Sequence, residues 1–449
     1  MDQRVRKKLL ASYRDLRADA EATALKLGKL AELPLCEDQS SALLRDALCS
    51  HGFQIEREFD LIPNAFIATA GRGKPVIGLL AEYDALPDCG DDGRSPGHGC
   101  GHNLLGTAST FAAIALARTL KAHGIRGTVK LFGCPAEETL VGKVYMARDG
   151  AFDGIDACLA WHPGASTSVS NGSGAAMDSI AYEFFGKTAH AAADPHNGRS
   201  ALDAVEIMNV SVNFLREHIP SNVRIHYAIM DGGKAPNVVP PYARSWYYVR
   251  GTDRAQVKAI SERVDNCARA GALATDTEMR RTILAACYDR LPNQAISDSL
   301  DRHLRAIGAP RFTSADSEAA IAAGAKGEFA KGVGKISTGR GTASSDEANV
   351  SWLAPLGRIN TACWAKDTPG HHLLVHRQVL LPAAMKGMDV AAKVLALTGL
   401  DLMTDPKLRR KAKREFRKLT KDKPYDPVIP PDQPAPIKDC LPAPPDSAL

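Results

Sequence analysis

The stretch VIGLLAEYD, residues 76–84, decides the fold. An apolar run that closes on two acidic side chains reads as a buried strand with chemistry at its carboxyl end. Outward from it, FIATA (66–70) is a preceding strand, and the Ala-rich segment from Asn103 to His123 is a long helix. TVKLFGCPAEE (128–138) runs from strand into loop, a helix follows around Val144, and ACLAWH (157–162) is a further strand. Strands alternating with helices predict an α/β sheet layered by helices, with active-site residues at the strands' carboxyl ends. Residues 1–50 read as helix, with Leu9, Leu10, Tyr13 and Leu16 at helical spacing.

The pattern changes near residue 179. SIAYEFFGK, VRIHYAIM (223–230), ARSWYYVRG (243–251) and EMRRTILAACY (278–288) read as strands, with helices over about 200–217 and 254–272. These form an α+β unit of about 110 residues, an ordinary domain size. It is inserted, because αβ patterning resumes after Leu291, and a further helix spans Ala383 to Leu397. The expected units are 1–178 with 291–405, then 179–290 as the insert, then 406–449 as a basic helix and Pro-rich tail without a core of its own.

Length and composition agree. The 449 residues allow two or three domains, and 45% apolar with 24% charged residues excludes global disorder. The net charge of +5 hints at an anionic partner, but Pro406 to Lys423 alone carries +8, leaving the body at −3. Leu408, Ala412, Phe416 and Leu419 place an apolar stripe under those cations, which predicts a docked helix with a solvated charged face. No nucleic-acid role is expected from it. The ten cysteines are scattered with no CxxC pair, and no apolar leader or uninterrupted apolar span occurs. A reducing cytoplasm and no membrane partner are therefore expected.

Ligand-type side chains fall in five places: GHGCGHN (97–103), EE (137–138), AWHPG (160–164), TAHAAADPH (188–196) and TPGHH (368–372). Cys100 and His102 lie two apart in a glycine-rich loop, where thiolate and imidazole can converge on one ion. Glu137 and Glu138 are adjacent, so on an extended segment one could ligate while the other points elsewhere, as a general base must. Singly, each signal more often marks plain surface or a satisfied core histidine. Their convergence on strand ends of one αβ unit is what points to metal-assisted hydrolysis. GVGKIS (332–337) lacks the Ser/Thr directly after Lys335 that a phosphate loop needs, and GSGAA around Ser173 is not a nucleophile elbow.

The run AEYDALP with GHGCGHNLLG, then CPAEE, then AWHPG resembles the co-catalytic metallopeptidase family of aminoacylases, carboxypeptidase G and auxin-conjugate amidohydrolases. TAHAAADPHNGRSALDAV, NVVPPYA, YYVRG, DPKLRRKAKREF and KPYDPVIP extend the resemblance from about residue 5 to 435. It implies a zinc-exopeptidase-like catalytic domain, a mixed sheet between helices, with the insert as a lid or dimerisation domain. By the same resemblance Cys100, His102, Glu138, His162 and His371 are ligands of two divalent ions, zinc or manganese, with His372 the alternative to His371. Glu137 matches the general base. His190 matches an oxyanion-stabilising histidine, often supplied across a dimer interface, and Asn237 and Arg250 match the residues that hold the substrate carboxylate.

Two positions depart from the family pattern. Glu82 stands where the carboxypeptidase branch has a ligand histidine, so His102 takes that role and Asp84 remains to orient a ligand. Asn103 replaces an Asp common after CGH and is expected just behind the ligands; Ser345 and Asp346 fall in a loop that the family places near the site. The implied activity is hydrolysis of the amide bond of an N-acyl amino acid or aminobenzoyl-glutamate-like conjugate with a free carboxylate. A dipeptidase, an aromatic aminohydrolase and a non-catalytic partner subunit are the alternatives. The implied assembly is a homodimer, a higher oligomer, or a complex with a paralogous subunit.

Overall fold

The structure is a computed structural model and describes residues 3–437. Cys440 and the prolines at 442, 444 and 445 lie outside the described residues. In chain order the strands are β1 Gln54–Glu58, β2 Phe66–Arg72, β3 Val76–Glu82, β4 Gly127–Cys134, β5 Ala157–Gly164, β6 Ser168–Ser170, β7 Ala176–Phe185, β8 Arg224–Asp231, β9 Tyr242–Gly251, β10 Glu278–Cys287 and β11 Leu356–Ala362. The helices are α1 Gln3–Leu30, α2 Asp38–Ser50, α3 His102–Ala122, α4 Gly142–Arg148, α5 Ala201–Leu215, α6 Arg254–Thr275, α7 Gln294–Ile307, α8 Ser314–Ala322, α9 Glu347–Ser351, α10 Leu373–Val379, α11 Pro382–Thr404 and α12 Pro406–Thr420.

Seven strands form one mixed sheet in the order β1-β2-β4-β3-β5-β11-β6. Its middle is parallel: β3 pairs in parallel with β4 and β5, and β5 with β11. Parallel strands end on the same side, so the loops after β3, β4, β5 and β11 all meet at one edge. The central strands are mostly apolar because both faces are covered, with Lys130 of β4 the charged exception inside them. On one face lie α1, α3 and α11, where Leu9, Tyr13, Leu16, Ala20, Ala24 and Leu27 of α1 join the core. Each large apolar side chain buried this way contributes about 1.5–3 kcal/mol.

The N-terminal 50 residues are two helices, not one. Pro34, with no N–H to donate, and positive φ at Ala31 and Leu35 turn the chain between α1 and α2. β1 (QIERE) escapes the sequence reading because an exposed, charged edge strand has no apolar alternation to show, and β6 is only three residues.

The second sheet is antiparallel, in the order β10-β7-β9-β8, with α5 and α6 packed on it. β8 is an edge strand, and Tyr227, Ile229 and Met230 on it are exposed, as are Val210 and Phe214 of α5. The basic helix α12 docks against the body. Ala412 is fully buried, Asn293 Nδ2 donates to its carbonyl at 2.9 Å, and Glu415 accepts from Ala295 N–H at 2.9 Å.

The proline-rich segment that follows lies back across the body. Ile429 and Ala435 are buried, Gln433 Nε2 donates to the Tyr145 hydroxyl at 2.8 Å, and Ala435 N–H donates to the Leu61 carbonyl at 2.8 Å. Among the described residues no helix is long and apolar enough to cross a membrane, and all nine described cysteines are free thiols.

Candidate metal centre

The four parallel strand ends deliver the ligand-type side chains to one place. Cys100 and His102 come from the loop after β3, separated by Gly101. Gly101 has φ +80, and a Cβ there would sit 2.9 Å from Pro163 and 3.2 Å from Trp364, so only glycine lets the loop turn into α3. His102 is fully buried at the start of α3. Asp84 Oδ1 accepts from its Nδ1 at 2.9 Å, which leaves Nε2 facing the centre. The other Asp84 oxygen accepts the Glu138 N–H at 2.9 Å, so one carboxylate orients two groups.

Glu137 and Glu138 both face His102, each with a carboxylate oxygen 3.9 Å from Nε2. The alternation expected of an extended segment does not apply here. Ala136 takes a positive φ of 54, and the Glu137 carbonyl accepts from Leu140 N–H at 2.7 Å, so the pair sits in a turn. Buried Glu37 holds that turn by accepting the Ala136 N–H at 2.8 Å. Burial, reinforced by the charge of Glu82, pushes Glu137 up to about 7, and burial pushes Glu138 up to about 8.

His162, at the end of β5, lies 3.3 Å from Cys100 Sγ through Nε2. Burial and the neighbouring Arg358 charge lower His162 to about 3, keeping it neutral as a ligand must be. His371 Nε2 is 3.4 Å from Glu138 Oε2, and His371 N–H donates to the Gly99 carbonyl at 3.0 Å. His372 is turned away, its Nδ1 accepting from Leu374 N–H as the N-cap of α10. Asn103 faces away too: its Nδ2 donates to the Ala24 carbonyl of α1 at 3.2 Å, so it ties helices together and does not stand behind the ligands.

Among the described residues three sets of ligand atoms lie within 4.8 Å of one another: Cys100, His102 and His162; Cys100, Glu138 and His371; and Glu82, His102 and Glu137. The residues fit a divalent ion on two counts. Thiol, imidazole and carboxylate are zinc- and manganese-type donors, and His102 Nε2 and Glu138 Oε1 are buried without a hydrogen-bond partner. Burial pushes the Cys100 thiol up, a shift that a cation at its sulfur would reverse.

The cluster opens into a cavity of about 470 Å³ lined also by Tyr248, Arg250, Arg290, Arg358 and Glu347. Arg290 and Arg358 both donate to Glu347 Oε1, at 3.4 and 2.7 Å. Arg250 reaches in from β9, touches Ser344 Oγ at 3.4 Å, and keeps a buried Nε without a partner. Three guanidiniums against one carboxylate make this wall cationic. Ser345 lines the cavity as well.

His190 and Asn237 do not reach it. Both are exposed, joined by a bridge between His190 and Val238 and by an Ala191 N–H to Asn237 carbonyl bond at 3.0 Å. Sequence reasoning missed Lys143, Arg290, Glu347 and Arg358. None has a ligand-type spacing, and a buried lysine or arginine looks like a surface one until the chain folds.

Comparison with known proteins bears on these features. A family described as "Peptidase dimerisation domain" matches residues 175–276, which span the second sheet up to the start of β10. The chain is 37% identical to one of the subunits of the p-aminobenzoyl-glutamate hydrolase of Escherichia coli (strain K12), over 89% of this chain and 92% of that one. It is 30% identical to the Xaa-Arg dipeptidase of Mus musculus, over 79% and 78%. Its fold is similar to that of the Bacillus subtilis YXEP protein, a dinuclear metal binding peptidase from the M20 family, with a TM-score of 0.53, 18% identity, and coverage of 85% and 99%.

Proposed function

From the premise that this chain belongs to the M20 peptidase family, hydrolases acting on amide bonds, we propose that it releases an amino acid from an N-acyl conjugate with a free, anionic carboxylate end. The observation that supports this reading is one cavity with a Cys/His/Glu cluster at its floor and Arg250 on its wall. The preferred substrate is of the aminobenzoyl-glutamate kind. A cationic wall favours a second carboxylate and disfavours the guanidinium of an Xaa-Arg dipeptide.

In this reading Cys100, His102, Glu138, His162 and His371 would hold two divalent ions, zinc or manganese. The ions would lower the pKa of water and polarise the scissile carbonyl. Glu137 takes the proton of the attacking water on its carboxylate and delivers it to the leaving amine nitrogen. Burial that raises Glu137 above the ordinary carboxylate value suits a group that must act first as base and then as acid. Asp84 keeps His102 in the tautomer that presents Nε2. Arg250 forms the fork for the substrate carboxylate. His190 and Asn237, exposed on the loops after β7 and before β9, would complete the site of a neighbouring copy, where His190 would stabilise the tetrahedral oxyanion.

The test is a substrate panel with Mn²⁺ or Zn²⁺. It contains p-aminobenzoyl-glutamate, other N-acyl amino acids, dipeptides including Xaa-Arg, and aminoaromatics. Acyl-glutamate turnover lost in Glu137→Ala, with metal still bound, is the expected result. Full turnover by that variant would remove Glu137 as the base. A chain without bound metal that hydrolyses nothing unless mixed with a paralogous chain would be a non-catalytic partner in a larger enzyme.

A further inference from the structure

Behind the cluster sits a charged group that the mechanism above does not use. Lys143 is fully buried at the start of α4. Its Nζ lies 2.9 Å from Glu82 Oε1 and 2.5 Å from Asp346 Oδ1, and its backbone N–H donates to Asp346 Oδ2 at 2.7 Å. Asp346 is also fully buried, and Glu82 is 4% exposed. The approach is built into the backbone: a Cβ on Gly142 would stand 1.8 Å from the Pro135 carbonyl, so only glycine allows α4 to start this close beneath the Glu137–Glu138 turn.

Glu82 is the carboxylate that Lys143 aims. One of its oxygens faces the ammonium, and the other, Oε2, is 3.6 Å from His102 Nε2, the nitrogen turned toward the centre. A buried lysine ion-paired to two carboxylates cannot swing, and neither paired oxygen can leave it without stranding the ammonium. At the far end, Asp346 precedes Glu347, whose carboxylate holds Arg290 and Arg358 at the cavity wall.

We propose that Lys143 is a positioning residue for the metal centre: it locks Glu82 so that a single oxygen meets the metal-facing edge of His102, and it anchors the 344–347 rim to the same point. This rests on the functional reading above. Lys143 touches no substrate and acts through Glu82 and Asp346. Groups that orient ligands in this way typically change metal affinity or activity by about 10–100-fold when removed.

Two variants separate positioning from folding. Lys143→Met removes the ammonium and leaves two buried carboxylates facing each other, which loads the fold as well as the site. Lys143→Met combined with Asp346→Asn restores the buried net charge of the native trio, −1, but not the contact to Glu82. The metal-stripped full-length chain is titrated calorimetrically with MnCl₂ alone, beside a thermal melt. The expected result is a double variant that melts closer to the native chain than Lys143→Met does, yet binds Mn²⁺ at least about tenfold more weakly. A folded double variant with native Mn²⁺ affinity overturns the proposal, and so does native affinity in Lys143→Met. A native chain that binds Mn²⁺ but hydrolyses no amide of the panel would defeat the functional reading while leaving this comparison of affinities valid.

Discussion

Asp84→Asn tests the centre with the smallest change of shape. Asp84 makes two buried bonds, each 2.9 Å, one to His102 Nδ1 and one from the Glu138 N–H. The carboxylate accepts at both oxygens, whereas an amide offers one acceptor and one donor. If the amide oxygen stays on His102, the NH₂ opposes the Glu138 N–H and two donors meet head to head. If it flips, the NH₂ faces His102 Nδ1 and drives the ring proton to Nε2, the nitrogen a metal would need. Either way a buried donor is left unpaired, costing about 1–3 kcal/mol. Expressed through metal affinity, that is about a 10–100-fold loss. Calorimetric Mn²⁺ titration of the stripped variant, with kcat/KM on the most active acyl-amino acid of the panel, measures it. Affinity and turnover both within twofold of the native chain would refute the orienting role of Asp84.

Other measurements address the cavity, the assembly and the fold. Arg250→Lys exchanges a planar fork for a single ammonium; loss of one charge-assisted bond to the substrate should raise KM about tenfold, and an unchanged KM would remove Arg250 from the carboxylate site. Ile229→Lys puts a charge on the exposed edge strand β8, 46% exposed at that position; light scattering should show smaller particles, because a lysine blocks edge pairing. Burial pushes Asp401 up, but His303, Arg302 and Arg6 hold its carboxyl well below the usual range. A depressed carboxylate contributes stability above the unfolded value, about 4, and loses it as pH falls toward the folded value. Asp401→Asn should therefore cost about 2 kcal/mol near neutral pH. Its gap to the native chain in denaturant melts should close as pH drops below about 4; a gap that widened there would contradict the assignment.

Periodicity and residue type carried much of this protein. VIGLLA, TVKLFGC and ACLAW are mostly apolar because they lie in central strands covered on both faces. The parallel order then brings the loops after them to a common edge. Cys100, His102, Glu137, Glu138, His162 and His371 were legible as a set because several ligand-type side chains converge on strand ends of one αβ unit and match the motifs of one family, whereas each alone reads as surface or core. The basic charge was legible as one element, and α12 docks by part of its apolar stripe: Ala412 is buried, Leu408 and Phe416 are half-buried, and Leu419 stays exposed with the lysines.

What the sequence could not hold was direction. Glu137 and Glu138 face the same histidine because a left-handed Ala136 turns the backbone, and residue order alone says they should diverge. His371 reaches the cluster while its neighbour caps a helix, and Asn103, next to a ligand, faces α1. The Lys143 strut joins Lys143 to Glu82 and to Asp346, 61 and 203 positions away, and the cationic wall joins Arg290 to Glu347, 57 positions away. A lysine reads as solvated surface by default, since burying it alone is costly. Only packing that sets two carboxylates against it can make it part of the interior, and that packing exists only once β3, α4 and the start of α9 have been brought together.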